Sequence, residues 1–127
     1  MITLDRFEEL AEEAVADVPE EFFEQLNGGI VIVDRVKNHE DSVPEHPLYV
    51  MGEYTHNRMM GRHILLYYGS FMKIYGDLSD AAVIPVIRAT ILHEFTHHLE
   101  SLSGEKDLEI KDEKRLADYK RKFNRKG

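Results

Sequence analysis

Apolar residues recur every three or four positions near the start of the chain, with acidic residues between them. This spacing predicts an amphipathic α-helix with one apolar stripe. Thr3 and Asp5 are candidate N-caps, because their side chains can accept backbone N–H bonds. Pro19 is expected to end the helix and to begin a short helical segment, EEFFEQL. The stripe consists of Phe7, Leu10, Ala11, Ala14, Val15 and Val18.

Short apolar runs separated by turn residues follow, a pattern typical of β-strands. The candidates are GIVIVDRV, a run at about residues 48–53, and RHILLYYG at residues 62–69. The first and third runs are nearly continuous in apolar residues, so we predict that these strands are buried. A polar loop, KNHEDSVPEHP, separates the first two candidates, and FMKIYG predicts a short strand or a single helical turn.

The longest helical pattern runs from Asp80 to about Ser103. Pro85 lies inside it and is expected either to kink the helix or to mark its regular start. Gly104 is expected to stop the helix, and a last helix is predicted at about residues 108–123. The broad apolar side of the long helix contains Val83, Ile84, Ile87, Ile91, Leu92, Phe95, Leu99 and Leu102.

Composition narrows the chemistry that this chain can perform. Its 127 residues suit one domain, and the lack of cysteine excludes disulfides and thiolate metal sites. Any metal must therefore use His, Asp or Glu. A net charge of −8 argues against nucleic acid as a partner. No apolar run is long enough to cross a membrane, and MITLDRFEEL lacks a signal-peptide pattern, so we predict a cytoplasmic protein without a membrane partner.

The stretch HEFTHHLE at residues 93–100 carries the clearest chemical signal. His93 and His97 are four positions apart, so on a helix they lie about 40° apart around the axis and one turn along it. Two imidazoles on one face can bind one Zn²⁺ ion. Glu94 occupies the position of the general base on HExxH helices. The apolar residues ATIL and Phe95 favour a helix packed on a core, so the stretch predicts a zinc site with Glu94 as catalytic base.

The other histidines are expected to have ordinary roles. His98 points about 100° away from its neighbour, so we predict that it is not a ligand and lies at the surface or is bonded to a carboxylate. His39, His46 and His56 fall in predicted loops or at strand starts. His63 is the one that can approach a cleft, if its strand borders the site.

A catalytic zinc site needs a third protein ligand and an open position. Glu100 lies on the same helix face as the two histidines but one turn further along, so we expect it beside a ligand or in solvent. The helix is expected to run about 9 Å beyond His97. A ligand from the chain that follows must therefore come back over that distance to reach the metal. Asp107 has few residues in which to do so, whereas Asp112 has length to spare. We therefore favour Asp112, and Asp107 and Glu113 remain alternatives.

Taken together, FEELAEEA, HILLYYGS and TILHEFTHHLE resemble the minimal zincins, which are small bacterial zincin-like metallopeptidases. The resemblance covers most of the chain. It implies an α+β fold in which a small mixed sheet of three to four strands packs on an N-terminal helix and a long HExxH helix. The family pattern continues with a glycine and then an aspartate ligand, and here Glu100 stands in place of that glycine. The matching residues are His93, Glu94 and His97.

These features predict a zinc-dependent, peptidase-like hydrolase of the HExxH type that acts on a peptide or protein. Residues 64–68 are expected to form a sheet edge that pairs with an extended peptide, and Tyr67 or Tyr68 is a candidate for stabilising the oxyanion. Two alternatives stay open: a metal-binding or peptide-binding module without turnover, and an interaction domain without metal.

Overall fold

Helices and a three-stranded sheet make up the fold, in agreement with the predicted α+β class. The computed structural model describes residues 1–106 and 116–121. In chain order the elements are α1 (Leu4–Val15), a 3-10 helix (Glu20–Phe23), β1 (Gly29–Val33), β2 (Gly52–Asn57), β3 (Gly61–Tyr67), α2 (Tyr68–Tyr75) and α3 (Asp80–Lys106). Residues 116–121 are also helical.

The sheet is mixed and has the order β1-β3-β2. β1 runs parallel to β3, and β2 runs antiparallel to it. β3 is central and largely buried, as predicted, whereas β1 is only half-buried along its length. The prediction of a strand at about residues 48–53 was wrong by several positions. The prediction followed the apolar residues that precede β2. The strand itself has the largely polar sequence GEYTHN, which is half-buried at residues 52–55 and exposed at residues 56–57.

Helix α2 replaces the strand or single turn predicted for FMKIYG. It begins at Tyr68, directly after β3, so this strand also ends earlier than predicted. Gly69 explains why the chain can turn here. A Cβ atom on Gly69 would lie 2.5 Å from the backbone carbon of Arg35, so only glycine lets α2 lie this close to the chain that leaves β1.

Helix α3 is longer than predicted. Ser79 caps its N-terminus, where Oγ accepts the N–H of Ala82 at 3.2 Å. Pro85 is accommodated inside the first turns. Gly104 does not stop the helix, because it is not among the glycines with positive φ that a C-terminal cap of this kind requires. In the part of the chain that the structure describes, no helix combines the length and apolar character needed to cross a membrane.

The core lies between α1, α3 and the sheet. Thr3 caps α1, as predicted, and accepts the N–H of Arg6 at 3.1 Å. The buried stripe of α1 packs with the buried residues of β3 and α3 in one cluster. Phe95, inside the HEFTH stretch, is fully buried, and its ring centroid lies 5.0 Å from that of Phe23. Burial of each such side chain contributes about 1.5–3 kcal/mol, so the histidine motif is fixed to the core through its own phenylalanine.

A pair of glycine substitutions tests the close contact of α2. We expect Gly69→Ala to lower the free energy of unfolding by about 1–3 kcal/mol or more, because the new methyl group meets backbone that cannot move aside. Gly104→Ala is the matched control. It adds a methyl group at an exposed position of α3 that faces open space among the described residues, so it should raise the free energy of unfolding by about 0.5–1 kcal/mol. Urea denaturation measures both, and equal effects of the two variants would contradict the packing described here.

Candidate metal centre

The two histidines of the motif project from the side of α3 that faces away from the core. His93 and His97 are exposed, whereas their neighbours Leu92 and Phe95 are buried. Glu94 is also buried, with 6% of its surface exposed. The helix therefore holds two imidazoles in solvent and a carboxylate at the boundary with the core. These three residues are the group of metal-ligating side chains that the described residues bring together, with ligand atoms within 4.8 Å of one another.

The imidazole nitrogens converge on one point. Nε2 of His97 lies 3.3 Å from Nε2 of His93. Two nitrogens that bind one tetrahedral Zn²⁺ at about 2.0–2.1 Å stand about 3.3–3.4 Å apart, so the observed separation fits a shared zinc ion. The same distance also fits one N–H donating to the other ring. With a shared zinc ion or with a hydrogen bond between the rings, Nδ1 of each ring points away from the shared point.

Glu94 is held by the edge strand of the sheet. Its Oε1 accepts the backbone N–H of Tyr54 at 2.9 Å. The register between β2 and β3 leaves this N–H available. Tyr67 N donates to Met51 O, so the backbone polar groups of Met51 face β3. Because these groups alternate along an antiparallel strand, the N–H and C=O of Tyr54 face away from β3. A buried carboxylate is costly without hydrogen bonds, and this bond offsets part of that cost. It uses one oxygen, so Oε2 can serve a water molecule.

The side chain of Tyr54 enters a buried polar network. Its hydroxyl accepts from Arg62 at 3.0 Å and lies 2.9 Å from Nδ1 of His98. Nε2 of His98 lies 2.8 Å from the carbonyl oxygen of Glu24. A carbonyl only accepts, so Nε2 carries the proton and Nδ1 accepts from the tyrosine. Burial lowers the pKa of His98, in agreement with this neutral form.

His98 lies outside the group of metal-ligating residues, and the surroundings predicted for it were wrong. It is fully buried, and its partners are a tyrosine hydroxyl and a backbone carbonyl, not a carboxylate. His63 is buried as well, and its Nδ1 donates to the carbonyl oxygen of Gly61 at 2.9 Å. It alternates along β3 with Ile64 of the core. It therefore does not border α3, the predicted metal helix.

An open cleft of about 450 Å³ lies beside Glu94, between the metal helix and the chain that leads into β2. The two walls approach closely at one point, where a Cβ atom on Gly52 would lie 2.8 Å from Cγ2 of Thr90. The glycine therefore permits the edge strand to meet α3. Residues 49–52 and His39 line one wall, and Ala89, Thr90, His93 and Glu94 line the other.

The loop that forms the first wall is fixed to the sheet by an ion pair. Nζ of Lys37 contacts both carboxylate oxygens of Glu53, at 2.8 and 2.9 Å. The hydroxyl of Tyr67 donates to the same carboxylate at 2.8 Å. The hydrogen bond from Lys37 lowers the pKa of Glu53 and raises the pKa of Lys37, so both groups are charged at neutral pH. The pair anchors the start of the loop beside the cleft.

The helical residues 116–121 lie against the other flank of α3. Nζ of Lys120 donates to Oγ1 of Thr96, one position before the second histidine. Burial lowers the pKa of Lys120, and the carboxylates of Glu100 and Glu94 partly offset this effect. The side of α3 that carries His93 and His97 thus lies between the β2 edge and this lysine.

Comparisons with known proteins support the fold but assign no activity. No family model matches the chain, and no curated protein matches it. A solved structure from Thermo thermophilus, described as a conserved hypothetical protein, is 33% identical, with a TM-score of 0.65, and the match covers 82% of this chain and 100% of that one. The chain belongs to the same family as this protein. The description of that protein states no function, so membership of the minimal zincins stays a prediction.

The structure brings together two of the metal ligands that were predicted for this chain. His93 and His97 converge, with Glu94 beside them. Asp112, and the alternatives Asp107 and Glu113, lie outside the residues that the structure describes. Glu100 is exposed, and its Oε2 lies 3.9 Å from Nδ1 of His97, in agreement with a position beside a ligand.

Two further predictions about the site were wrong. Residues 64–68 do not form a sheet edge, because β3 lies between β1 and β2. Tyr67 and Tyr68 are also unsuited to the oxyanion role, because the hydroxyl of Tyr67 donates to Glu53 and that of Tyr68 donates to the carbonyl oxygen of Ile2. The edge that faces the metal helix is β2.

Tyr54 and His39 are the two residues near the site whose roles were not predicted from the sequence. Tyr54 holds Glu94 with its backbone and His98 with its hydroxyl, and His39 lines the cleft. The strand position of Tyr54 was not recognised because β2 lacks an apolar pattern. No local signal in the sequence indicates that His39 reaches the metal helix, since more than fifty residues separate them.

Removal of one hydroxyl tests the buried network. We expect Tyr54→Phe to lower the free energy of unfolding by about 1–3 kcal/mol, because Arg62 and His98 each lose a buried hydrogen bond. Tyr75→Phe is the control. Tyr75 is half-buried, and its hydroxyl forms no hydrogen bond with the described residues, so its removal should cost less than about 0.5 kcal/mol. The same loss in both variants, measured by urea denaturation, would show that the network adds no stability.

Proposed function

We propose that this protein is a zinc-dependent, peptidase-like hydrolase of the HExxH type. One observation carries the proposal: the 3.3 Å separation of the imidazole nitrogens of His93 and His97, next to a buried glutamate. This separation is that of two ligands on one tetrahedral ion, and both side chains adopt it while exposed to solvent. Neutral imidazoles are preferred zinc ligands, so the donor set fits the metal.

The metal would be held by His93, His97 and Asp112. Bound there, Zn²⁺ would supply Lewis-acid polarisation of a carbonyl group and a nucleophilic water at neutral pH. The exposure of both histidines supports the proposal, because a catalytic site must keep one position open to solvent and substrate.

Glu94 would act as the general base. The N–H of Tyr54 holds its Oε1 at 2.9 Å, which fixes the direction of the carboxylate and leaves Oε2 for the attacking water. Glu94 takes a proton from that water and passes it to the leaving amine. The buried network below Tyr54 keeps β2 and α3 in register, so the base is positioned before a substrate arrives.

The substrate would be an extended peptide at the outer edge of β2. Gly52 and His56 turn their backbone N–H and C=O groups outward from β3, as Tyr54 does. A peptide that adds to this edge by β-augmentation would run along the cleft and past His93 and Glu94, which line it. This replaces β3 by β2 as the strand that receives the peptide.

A metal-binding or peptide-binding module without turnover is the second candidate. The bond from Tyr54 to Glu94 favours it, because this bond gives the glutamate a structural role without any catalysis. For both candidate functions we propose that the protein is located in the cytoplasm, as predicted from the sequence.

Zinc stoichiometry tests the ligands. We expect wild-type protein to bind one equivalent of zinc, and both His93→Ala and His97→Ala to lose stoichiometric binding, because each removes one of two converging nitrogens. Asp112→Ala should weaken zinc affinity, because it removes the proposed third ligand. Elemental analysis after dialysis against a weak chelator measures the stoichiometry, and competition with a chelating dye measures the affinity.

Three control variants show whether a loss of zinc binding is specific to the proposed ligands. His46→Ala removes an exposed histidine from the polar loop and should leave zinc binding unchanged. Asp107→Ala and Glu113→Ala should affect zinc affinity less than Asp112→Ala does. A full equivalent of zinc in both His93→Ala and His97→Ala would place the metal elsewhere, and a larger loss in Asp107→Ala or Glu113→Ala would identify that residue as the third ligand.

The role of Glu94 is tested by Glu94→Gln. The amide oxygen can still accept the N–H of Tyr54, so the fold and the zinc content should be retained. Hydrolysis of a mixed peptide library by the zinc-loaded protein should fall by about 10²–10⁴-fold, because the amide cannot take a proton. Glu12→Gln, at an exposed position of α1, is the control and should retain full activity. Equal rates in wild type and Glu94→Gln would remove this residue from the mechanism.

A further inference from the structure

A histidine stands on the wall of the cleft opposite the metal helix. His39 lines the same cleft as His93 and Glu94, although it precedes them by more than fifty residues. We propose that His39 is a substrate-binding residue, whose Nε2–H donates a hydrogen bond to a backbone carbonyl of a peptide in the cleft. This inference rests on the proposed function and adds a recognition residue to it.

The hydrogen bonds of the ring identify the donor. The backbone N–H of Asp41 donates to Nδ1 of His39 at 3.0 Å. Nδ1 therefore acts as an acceptor and carries no hydrogen, so the ring hydrogen of the neutral form is on Nε2. The carboxylate of Asp41 is further from the ring, with Oδ2 3.7 Å from Nδ1. The side chain is about half exposed, at 48%, so a ligand in the cleft can reach the ring.

The backbone around His39 is fixed before any ligand binds. Its N–H donates to the carbonyl oxygen of Leu48 at 2.9 Å, and its carbonyl oxygen accepts the N–H of Ser42 at 2.9 Å. Oγ of Ser42 in turn accepts the N–H of Leu48 at 2.9 Å. The ion pair between Lys37 and Glu53 anchors the start of the same loop. A donor on such a support loses little freedom when a ligand binds.

The cleft needs a donor on this wall. An extended peptide presents its carbonyl groups to both sides, and the outward N–H groups of an edge strand normally donate to them. Here the N–H of Tyr54 already donates to Glu94, so the edge strand lacks a free donor at this position, next to the metal helix. His39 supplies a neutral N–H on the same side of the cleft. A neutral donor suits a peptide carbonyl, whereas a cation would favour an anionic ligand.

A purely structural role for His39 predicts something different. On that account the ring only accepts the N–H of Asp41 and closes the turn. His39→Asn separates the two roles, because an asparagine side-chain oxygen accepts the N–H of the second following residue in an Asx turn. The variant therefore keeps the turn but has no group at the position of Nε2. His46→Asn makes the same chemical change in the same loop but away from the cleft.

The experiment measures two ligands with zinc-loaded protein by isothermal titration calorimetry. Acetohydroxamic acid probes the metal alone, and the hydroxamate of acetyl-Leu-Leu probes the metal and the cleft. We expect His39→Asn to weaken the peptide hydroxamate about 3- to 10-fold, the effect of one neutral hydrogen bond. It should leave acetohydroxamic acid unchanged. His46→Asn should bind both ligands as wild type does, and the unfolding midpoint of His39→Asn should stay within a few degrees of wild type.

Other outcomes separate the two proposals. If His39→Asn binds both ligands as wild type does, His39 does not contact the peptide and the inference is overturned, while the metal site stands. If His39→Asn weakens both ligands equally, the residue acts on the metal and not on the peptide, which also overturns it. If zinc-loaded wild type binds neither ligand, the proposed metal site fails, and the role of His39 fails with it.

Discussion

The hydrogen bond from the backbone N–H of Tyr54 to Oε1 of Glu94, 2.9 Å long, connects the edge of the sheet to the metal helix. It satisfies two groups that would otherwise be costly to bury, an unpaired strand N–H and a carboxylate. The position of the proposed base and the alignment of β2 with α3 both depend on this contact. The proposed catalytic carboxylate is thus held by an interaction that satisfies one backbone N–H at the outer edge of the sheet.

The surrounding packing makes this contact specific. Gly52 brings the strand within contact distance of Thr90, and Phe95 fixes the motif against the rings of the 3-10 helix. Below them, Tyr54 and His98 form hydrogen bonds that can be directed in one way only, because the carbonyl of Glu24 must accept. Apolar burial supplies the stability, and the polar network determines how the strand and the helix are aligned.

Helices α1 and α3 and the convergence of His93 and His97 were predictable because their signals are local. The four-residue spacing of His93 and His97 follows from the helical period, and the apolar stripe of α1 follows from the same period. The position of β2, the burial of His98 and the presence of His39 in the cleft were not predictable. They depend on contacts between residues far apart in the chain, and an edge strand with polar residues leaves no periodic pattern. The length of α3 was underestimated because glycine also fits a helix near its end, at a modest cost.

A crystal structure of zinc-soaked protein, with anomalous scattering measured on both sides of the zinc absorption edge, tests the proposed metal site at the level of single atoms. We expect one strong anomalous peak, about 2.0–2.1 Å from Nε2 of both His93 and His97. We also expect one coordination position left open to solvent, with Glu94 outside the coordination shell and still bonded to Tyr54. A peak away from these two nitrogens, or a zinc ion closed by four protein ligands, would contradict the proposed catalytic site.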